Sequence, residues 1–179
     1  ARNKRGDILG NYHHILNELL IPNINDKHVV DLGCLDGKWV IPMTWYAKKI
    51  TAVDIITAGF EKISGWPGFR REQIVFYRTQ GYELHGIITG SVDYIFCMDV
   101  FARTEPEVIE LYMEEFKRVL SPQGKACIHL PCQIKQLSHE LGFTPLSVEW
   151  ISATTKKHFE NFIIDYQTIN HGILLLVNY

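Results

Sequence analysis

Residues 29–39 read VVDLGCLDGKW, and they give the clearest indication of the fold class. An apolar run ends in an acid and a turn with two glycines, Gly33 and Gly37, before the chain becomes helix-like near Lys38. A strand that passes through a glycine-containing turn into a helix typically opens an α/β unit, and the turn amides can face a ligand. The stretch therefore predicts a cofactor-binding turn, with Leu35 at the position where a second close-approach glycine is expected.

Short apolar runs of the same kind recur along the chain. They are rich in β-branched and aromatic residues and continuous rather than alternating, which is typical of strands covered on both faces. The five runs span residues 28–33, 50–55, 73–79, 92–100 and 125–130. Helix-like stretches separate them at 38–49, 57–64 and 105–120. This alternation predicts an α/β fold with a mostly parallel sheet.

The two ends of the chain complete the predicted fold. An amphipathic helix at about 7–20, which Pro22 should stop, is a candidate lid carrying Tyr12, His13 and His14. The last third predicts a helix over 133–143, a strand over 146–152 and a last strand over 171–179, while 153–170 gives no clear signal. We expect a Rossmann-like seven-stranded, mostly parallel sheet with an antiparallel last strand and helices on both faces, in a single domain spanning 1–179.

Composition narrows the classes of function. The 179 residues carry a formal net charge of −2, which gives no general attraction to nucleic acid or to an anionic membrane. No apolar run approaches the length of a membrane span, and no signal-peptide core is visible. The cysteines form no CxxC pair, and no metal-ligand constellation stands out. A cytoplasmic protein without a metal is the expectation.

A second acid strengthens the prediction of a cofactor site. Asp54 ends the second predicted strand, 21 residues after Gly33. At that distance a carboxylate can accept hydrogen bonds from both hydroxyls of a ribose. The turn and Asp54 alone are equally compatible with a purely structural strand-turn-helix.

The order of further motifs extends the evidence for a cofactor site over residues 28–130. Four motifs stand in the order, spacing and residue types of one family: VVDLGC, the acidic strand end VDI, the strand DYIFCMDVF, and the helix end and turn FKRVLSPQGK. The chain resembles the class I S-adenosylmethionine-dependent methyltransferases. The resemblance implies S-adenosylmethionine as cofactor and methyl transfer as the reaction.

The resemblance assigns the methionine end of the cofactor to three places. Asp31 would lie near the methionine amino group, and Gly33, Cys34 and Gly37 would form the turn beneath the cofactor. The strand end at 99–100 would face the methionine part and the active-site mouth, through Asp99 and Val100. The structural alternatives are that Asp31 and Asp99 act as caps and that Cys34 only packs.

The nucleoside end is assigned in the same way. Asp54 would accept from the ribose hydroxyls, and Ile55 would lie against the adenine. Gln80 stands where the family commonly has an aspartate, and its amide oxygen can also accept from the adenine amino group.

Leu35 leaves two alternatives open. A side chain directed at the ligand would prevent binding, whereas a side chain directed away would leave only backbone facing the cofactor. Asp36 and Gly37 keep turn-forming residues directly after it, and we expect binding to be retained.

The acceptor is predicted to be a small molecule, with a hydroxyl as one candidate group. Asp99-Val-Phe-Ala stands where methyltransferases acting on nucleic-acid bases carry an Asn-Pro-Pro-Tyr type motif, so nucleic acid is not the expected partner. His129, at the end of the fifth strand, is the candidate general base, and the alternative is a buried core histidine.

Two other classes of function remain at this stage. One is a catalytically inactive, methyltransferase-like module that binds a partner, with the chain forming part of a larger protein or complex. The other is a nicotinamide-dependent oxidoreductase, which the missing GxGxxG spacing and the absence of a second domain disfavour.

Overall fold

The structure is a computed structural model that describes residues 11–178. Its centre is a seven-stranded sheet in the order β3-β2-β1-β4-β5-β7-β6. The strands are β1 (His28–Leu32), β2 (Lys49–Asp54), β3 (Ile74–Arg78), β4 (Val92–Cys97), β5 (Leu120–Leu130), β6 (Phe162–Asp165) and β7 (Ile173–Val177). Neighbouring strands pair in parallel except β7, which is antiparallel to both β5 and β6. The predicted Rossmann-like sheet with an antiparallel last strand is confirmed.

Alternate residues of the central strands supply two apolar layers. On β1 and β4, Val30 and Ile95 face a core formed with the helix Pro106–Val119 and the helix Val148–His158. Val29 and Phe96 face the opposite core. Because both faces of the sheet are covered, its strands are continuously apolar, as the sequence indicated.

The opposite core receives the short helix Val40–Met43 and the N-terminal helical segment. That segment includes a π-helical stretch, Ile15–Leu20, and an α-helical turn, Ile21–Ile24. The prediction that Pro22 stops the helix is wrong. The helical run continues through Pro22 to Ile24, and the stretch before Pro22 is π-helical. Residues 7–10 of the predicted helix lie outside the described residues.

The predicted strand over 146–152 is also wrong. Val148–His158 is a helix, and Ser147 caps it by accepting a 3.0 Å hydrogen bond from the backbone amide of Trp150. The sixth strand instead comes from the part of the chain without a clear signal, as Phe162–Asp165. The remaining helices are Ala58–Ser64, Gln136–Glu140 and a 3-10 turn, Phe101–Arg103, so the helices predicted over 38–49 and 133–143 are much shorter than expected.

This topology sets the position of the functional site. Strand order reverses between the parallel neighbours β1 and β4, because β2 and β3 follow on one side of β1 and β5 follows on the other side of β4. In an open α/β sheet, ligands bind beyond the carboxyl ends of the strands at such a switch point. The turn after β1 and the residues after β4 lie there.

Candidate active site at the carboxyl edge of the sheet

A cavity of about 310 Å³ opens at the switch point. It is lined by the turn after β1, the ends of β2, β3 and β4, and one helix. The lining residues are Leu32, Gly33, Leu35, Asp54, Ile55, Ile56, Thr79, Gly81, Met98, Asp99, Val100, Phe101, Thr104 and Tyr112. Six predicted cofactor residues are therefore brought together: Gly33, Leu35, Asp54, Ile55, Asp99 and Val100.

The turn after β1 has left-handed backbone at three positions. Gly33 and Gly37 have φ of +78° and +93°, and Leu35 has φ of +43°. Glycine adopts this conformation without steric cost, whereas leucine does so rarely. The Leu35 side chain is 63% exposed and borders the cavity rather than filling it. Leu35 therefore keeps the backbone shape that the expected glycine would provide.

Asp54 holds this turn in place. Its Oδ2 accepts a 2.9 Å hydrogen bond from the amide of Leu35, and its Oδ1 accepts a 3.0 Å bond from the amide of Ile56. The side chain is buried, and each carboxylate oxygen has a further lone pair for a ligand hydroxyl. Asp54 thus joins the ends of β1 and β2 and borders the cavity between them.

Asp31 is buried on β1 without a hydrogen-bond partner for either carboxylate oxygen. Burial raises the pKa of Asp31 well above its ordinary value, and the charge of Asp54 raises it further. A carboxylate in this position is costly unless a positive charge or a donor is supplied. Asp31 lies two residues before Gly33 but does not itself line the cavity among the described residues.

The end of the cavity beside β2 is apolar and open. Ile55 and Ile56 are 53% and 57% exposed, and both line the cavity. Gln80 does not line it, and its Oε1 accepts a hydrogen bond from the Tyr82 hydroxyl. Its neighbours Thr79 and Gly81 line the cavity instead, so the predicted contact of Gln80 with adenine stays a prediction.

Two further predicted residues pack beneath the turn. Cys34 is 2% exposed, and burial raises the pKa of its thiol, so it is not poised as a nucleophile. A side chain at Gly37 would meet Ile63 and Ile41. Neither Cys34 nor Gly37 belongs to the cavity lining, and any role of theirs is to shape the turn.

Val100 packs directly on the turn glycine. A Cβ added to Gly33 would lie 2.3 Å from Cγ2 of Val100. The close packing of the Val100 side chain, together with the left-handed φ of +78°, therefore requires glycine at position 33.

Asp99 has left-handed backbone, with φ of +62°, and its carboxylate meets two imidazoles. Its Oδ1 lies 2.9 Å from His129 Nδ1 and 2.9 Å from His171 Nε2. Burial raises the pKa of Asp99, but the two imidazoles outweigh that effect and hold the pKa well below its ordinary value. The carboxylate is therefore ionised at neutral pH.

The two histidines differ in access. His129 is 0% exposed, so its ring cannot touch an acceptor in this conformation, and its role as general base stays a prediction. The His171 side chain is 21% exposed and hydrogen-bonds to Asp99. Sequence reasoning missed His171, although an antiparallel last strand must begin at the carboxyl edge of the sheet, beside the ends of β4 and β5.

The N-terminal helical segment contributes no residue to the cavity lining in the part of the chain that is described. Tyr12 stacks on Trp39 at 4.7 Å between ring centroids, and Lys38 lies over the Trp39 ring. The segment is thus attached to the first turn of the helix that follows the cofactor-type turn. Its role as a lid stays a prediction.

The family model of a methyltransferase domain matches residues 29–124, which is more than half of the chain. The matched range begins on β1 and ends within β5, so it contains all of the cavity-lining residues. No protein of curated function matches the sequence.

Solved structures share the fold at low sequence identity. The PH0226 protein from Pyrococcus horikoshii is similar with a TM-score of 0.73 at 17% identity, over 99% of this chain and 92% of that one. A chain from the complex between the Haloferax volcanii Trm112 methyltransferase activator and a methyltransferase gives 0.72 at 17% identity, over 97% and 90%. An S-adenosylmethionine-dependent methyltransferase from Listeria monocytogenes gives 0.68 at 13% identity, over 95% and 97%.

Proposed function

Because the chain belongs to the methyltransferase-domain family, and so to the class I S-adenosylmethionine-dependent methyltransferases, we propose that it methylates a small molecule. The methyl donor is S-adenosylmethionine, and the methylated atom is a hydroxyl oxygen. The observation that carries the proposal is the cavity at the switch point, which combines the turn after β1, the carboxylate of Asp54 and an apolar wall.

The nucleoside of the cofactor fits the side of the cavity next to β2. Asp54 has lone pairs left for ribose hydroxyls after binding the amides of Leu35 and Ile56. Leu35, Ile55 and Ile56 are each more than half exposed around the same opening. Apolar side chains exposed together beside a cavity favour a flat apolar group, and adenine is such a group.

The positive charges of the cofactor suit the acidic side of the site, which contains the carboxylates of Asp31 and Asp99. S-adenosylmethionine supplies a methyl group on a cationic sulfur, together with an ammonium group. Asp31 is a buried carboxylate without a partner, and Asp99 is an ionised carboxylate bordering the cavity. A cationic ligand would offset the cost of keeping Asp31 charged.

Methyl transfer asks the protein mainly to align acceptor and donor and to exclude water. Asp99, with His129 and His171, forms the ionisable cluster at the strand ends, and Asp99 itself borders the cavity. An acceptor hydroxyl placed there would lie beside groups able to take or stabilise charge as its proton leaves.

Calorimetric titration with S-adenosylhomocysteine tests cofactor binding. We expect micromolar affinity in the wild-type chain and a loss of at least tenfold in Asp54→Ala. Glu72→Ala is the matched control, because Glu72 is an exposed acid before β3 at the opposite edge of the sheet. NAD serves as the control ligand for the oxidoreductase alternative.

The outcomes separate the candidate functions. Binding of S-adenosylhomocysteine that Asp54→Ala loses and Glu72→Ala keeps would support the proposal, and methyl transfer to hydroxylated small molecules would then be assayed with labelled cofactor. Absence of binding in wild type would overturn it and favour the inactive module, while binding of NAD alone would favour the oxidoreductase.

We also propose that the chain works with a partner protein. The support is its fold similarity to a chain of a methyltransferase–activator complex. Light scattering of the protein isolated from its native cells would detect a partner as a mass that is not a whole multiple of the mass of its own polypeptide, which denaturing mass spectrometry gives. A mass equal to one chain or a whole multiple would contradict it.

A further inference from the structure

Three side chains with metal-binding atoms converge at the carboxyl edge of the sheet. Asp99 follows β4, His129 lies near the end of β5, and His171 lies two residues before β7. Asp99 Oδ1, His129 Nδ1 and His171 Nε2 all lie within 4.8 Å of one another. The residues are far apart in the sequence, which is why no spacing motif indicated this group.

Strand register brings them together. β4 and β5 pair in parallel with Cys97 opposite Ile128, and β5 and β7 pair antiparallel with Leu130 opposite Ile173. The end of β4, the end of β5 and the start of β7 are therefore neighbours. The sheet therefore brings the cluster together, with Asp99 and His171 each two residues beyond the end of a strand.

Hydrogen bonding leaves the cluster incompletely satisfied. Although His129 Nδ1 is 2.9 Å from Asp99 Oδ1, it makes no hydrogen bond there, and His129 Nε2 also has none. The ring is 0% exposed, so water does not compensate. Among the described residues, the only polar contact of the buried ring is therefore a poorly directed one between Nδ1 and the Asp99 carboxylate, and a cation bound between these two atoms would give each a well-directed partner.

The distances suit ligands of one ion. Two ligand atoms on a metal with bonds of about 2.1 Å lie about 3 Å apart at right angles and about 3.4 Å apart at the tetrahedral angle, so a shift of about 0.5 Å would bring the observed atoms to either geometry. Asp99 Oδ1 is 2.9 Å from each of the two ring nitrogens. Two imidazoles and one carboxylate form a three-residue set that leaves coordination positions open to substrate.

We propose that Asp99 Oδ1, His129 Nδ1 and His171 Nε2 bind a divalent transition-metal ion such as Zn²⁺, with its open positions directed to the cavity that Asp99 borders. The inference deepens the proposed function and rests on it for the identity of the substrate. An acceptor hydroxyl bound to the ion would lose its proton to solvent more readily. The oxygen would then form its bond to the methyl carbon as the carbon–sulfur bond of the cofactor breaks, leaving a neutral thioether.

Titration of the tag-free chain with Zn²⁺, after dialysis against a chelator, tests the site directly. We expect one ion per chain with micromolar or tighter affinity, and at least tenfold weaker binding in His171→Gln. His85→Gln is the matched control, because the His85 side chain is 76% exposed on the loop after β3. Cobalt absorption in the visible range would report the ligand set independently, and Asp99→Asn should change that spectrum.

Equal Zn²⁺ affinity in wild type, His171→Gln and His85→Gln would overturn the inference, and so would affinity no better than millimolar in wild type. The cluster would then act only as a hydrogen-bonded carboxylate and imidazole group. Zn²⁺ binding is measured without the cofactor, so its failure is distinguishable from failure of the methyltransferase proposal, which the S-adenosylhomocysteine titration decides.

Discussion

The backbone amide of Leu35 donates a 2.9 Å hydrogen bond to Oδ2 of Asp54. The residue that departs from the expected glycine pattern is thereby bonded to the acid predicted to hold the ribose. The bond is made by the Leu35 backbone, at a left-handed φ of +43°, and not by its side chain. Leucine in place of the expected glycine at position 35 therefore changes the steric cost of the turn more than the shape of its backbone.

Leu35→Gly should stabilise the chain. Left-handed backbone costs a leucine about 1–2 kcal/mol, and added glycine flexibility offsets about 0.5–1 kcal/mol. Because the side chain is 63% exposed, little apolar burial is lost. We expect a rise in melting temperature of roughly 1–4 °C, measured by circular dichroism. Leu35→Ala keeps a Cβ and should show no such gain, so equal gains in both variants would refute the strain explanation.

Asp31→Asn should change how stability depends on pH. Burial and the charge of Asp54 raise the pKa of Asp31, so the folded chain holds its proton more tightly than the unfolded chain. Stability from this group is present below the ordinary aspartate pKa and falls as pH rises toward the raised value.

The measurement is chemical denaturation of wild type and Asp31→Asn over a pH series. At neutral pH, the cofactor-free variant should be the more stable protein, while its affinity for S-adenosylmethionine should fall because the ammonium or sulfonium loses a carboxylate. Parallel pH profiles of the two proteins would contradict the assignment of a raised pKa to Asp31.

The fold was predictable where one signal dominated. Continuous apolar runs such as those of β1 and β4 indicate strands buried on both faces, and the structure has them. The run around 146–152 misled because Val, Trp and Ile also occur on a buried helix face. The decisive signals were the capping hydroxyl of Ser147 and helical spacing of the buried Ile151, Thr154 and Thr155.

Ser147→Ala should destabilise the helix Val148–His158. The hydroxyl accepts the 3.0 Å bond from the amide of Trp150, and loss of such a cap costs about 1 kcal/mol. This should lower the melting temperature by roughly 2–4 °C. Ser152→Ala, at a half-buried position inside the same helix, is the control and should change it less. An equal effect of the two substitutions would argue against the capping role.

The site was predictable at the strand ends and not beyond them. Gly33, Asp54 and Asp99 follow from the rule that ligands bind at carboxyl ends, and the structure places them around one cavity. Tyr112 reaches the same cavity from the middle of a helix, where the sequence offers only an amphipathic pattern. Gln80 was chosen by family position, but the structure places Thr79 and Gly81 on the cavity. Which residues line the cavity depends on how the loop after β3 folds, and Glu83 organises that loop.

Glu83 ties the cavity-lining loop after β3 together, and Glu83→Gln should loosen it. Its carboxylate accepts hydrogen bonds from the Tyr77 hydroxyl (2.5 Å) and from the amides of Gln80 (3.0 Å) and His85 (2.9 Å). Burial raises the pKa of Glu83, but these bonds outweigh it and lower the pKa to about 2. The stabilisation is therefore present above the ordinary glutamate pKa and is lost as pH falls toward about 2.

Since hydrogen bonds to a charged group contribute about 1.5–3 kcal/mol, the free energy of unfolding of Glu83→Gln should be lower by about that amount at neutral pH. The variant should also bind S-adenosylhomocysteine more weakly. Urea denaturation measures the free energy of unfolding and calorimetry measures the affinity, with Glu72→Gln, at an exposed position, as the control. A variant as stable as that control at neutral pH would show that the loop does not depend on the Glu83 carboxylate.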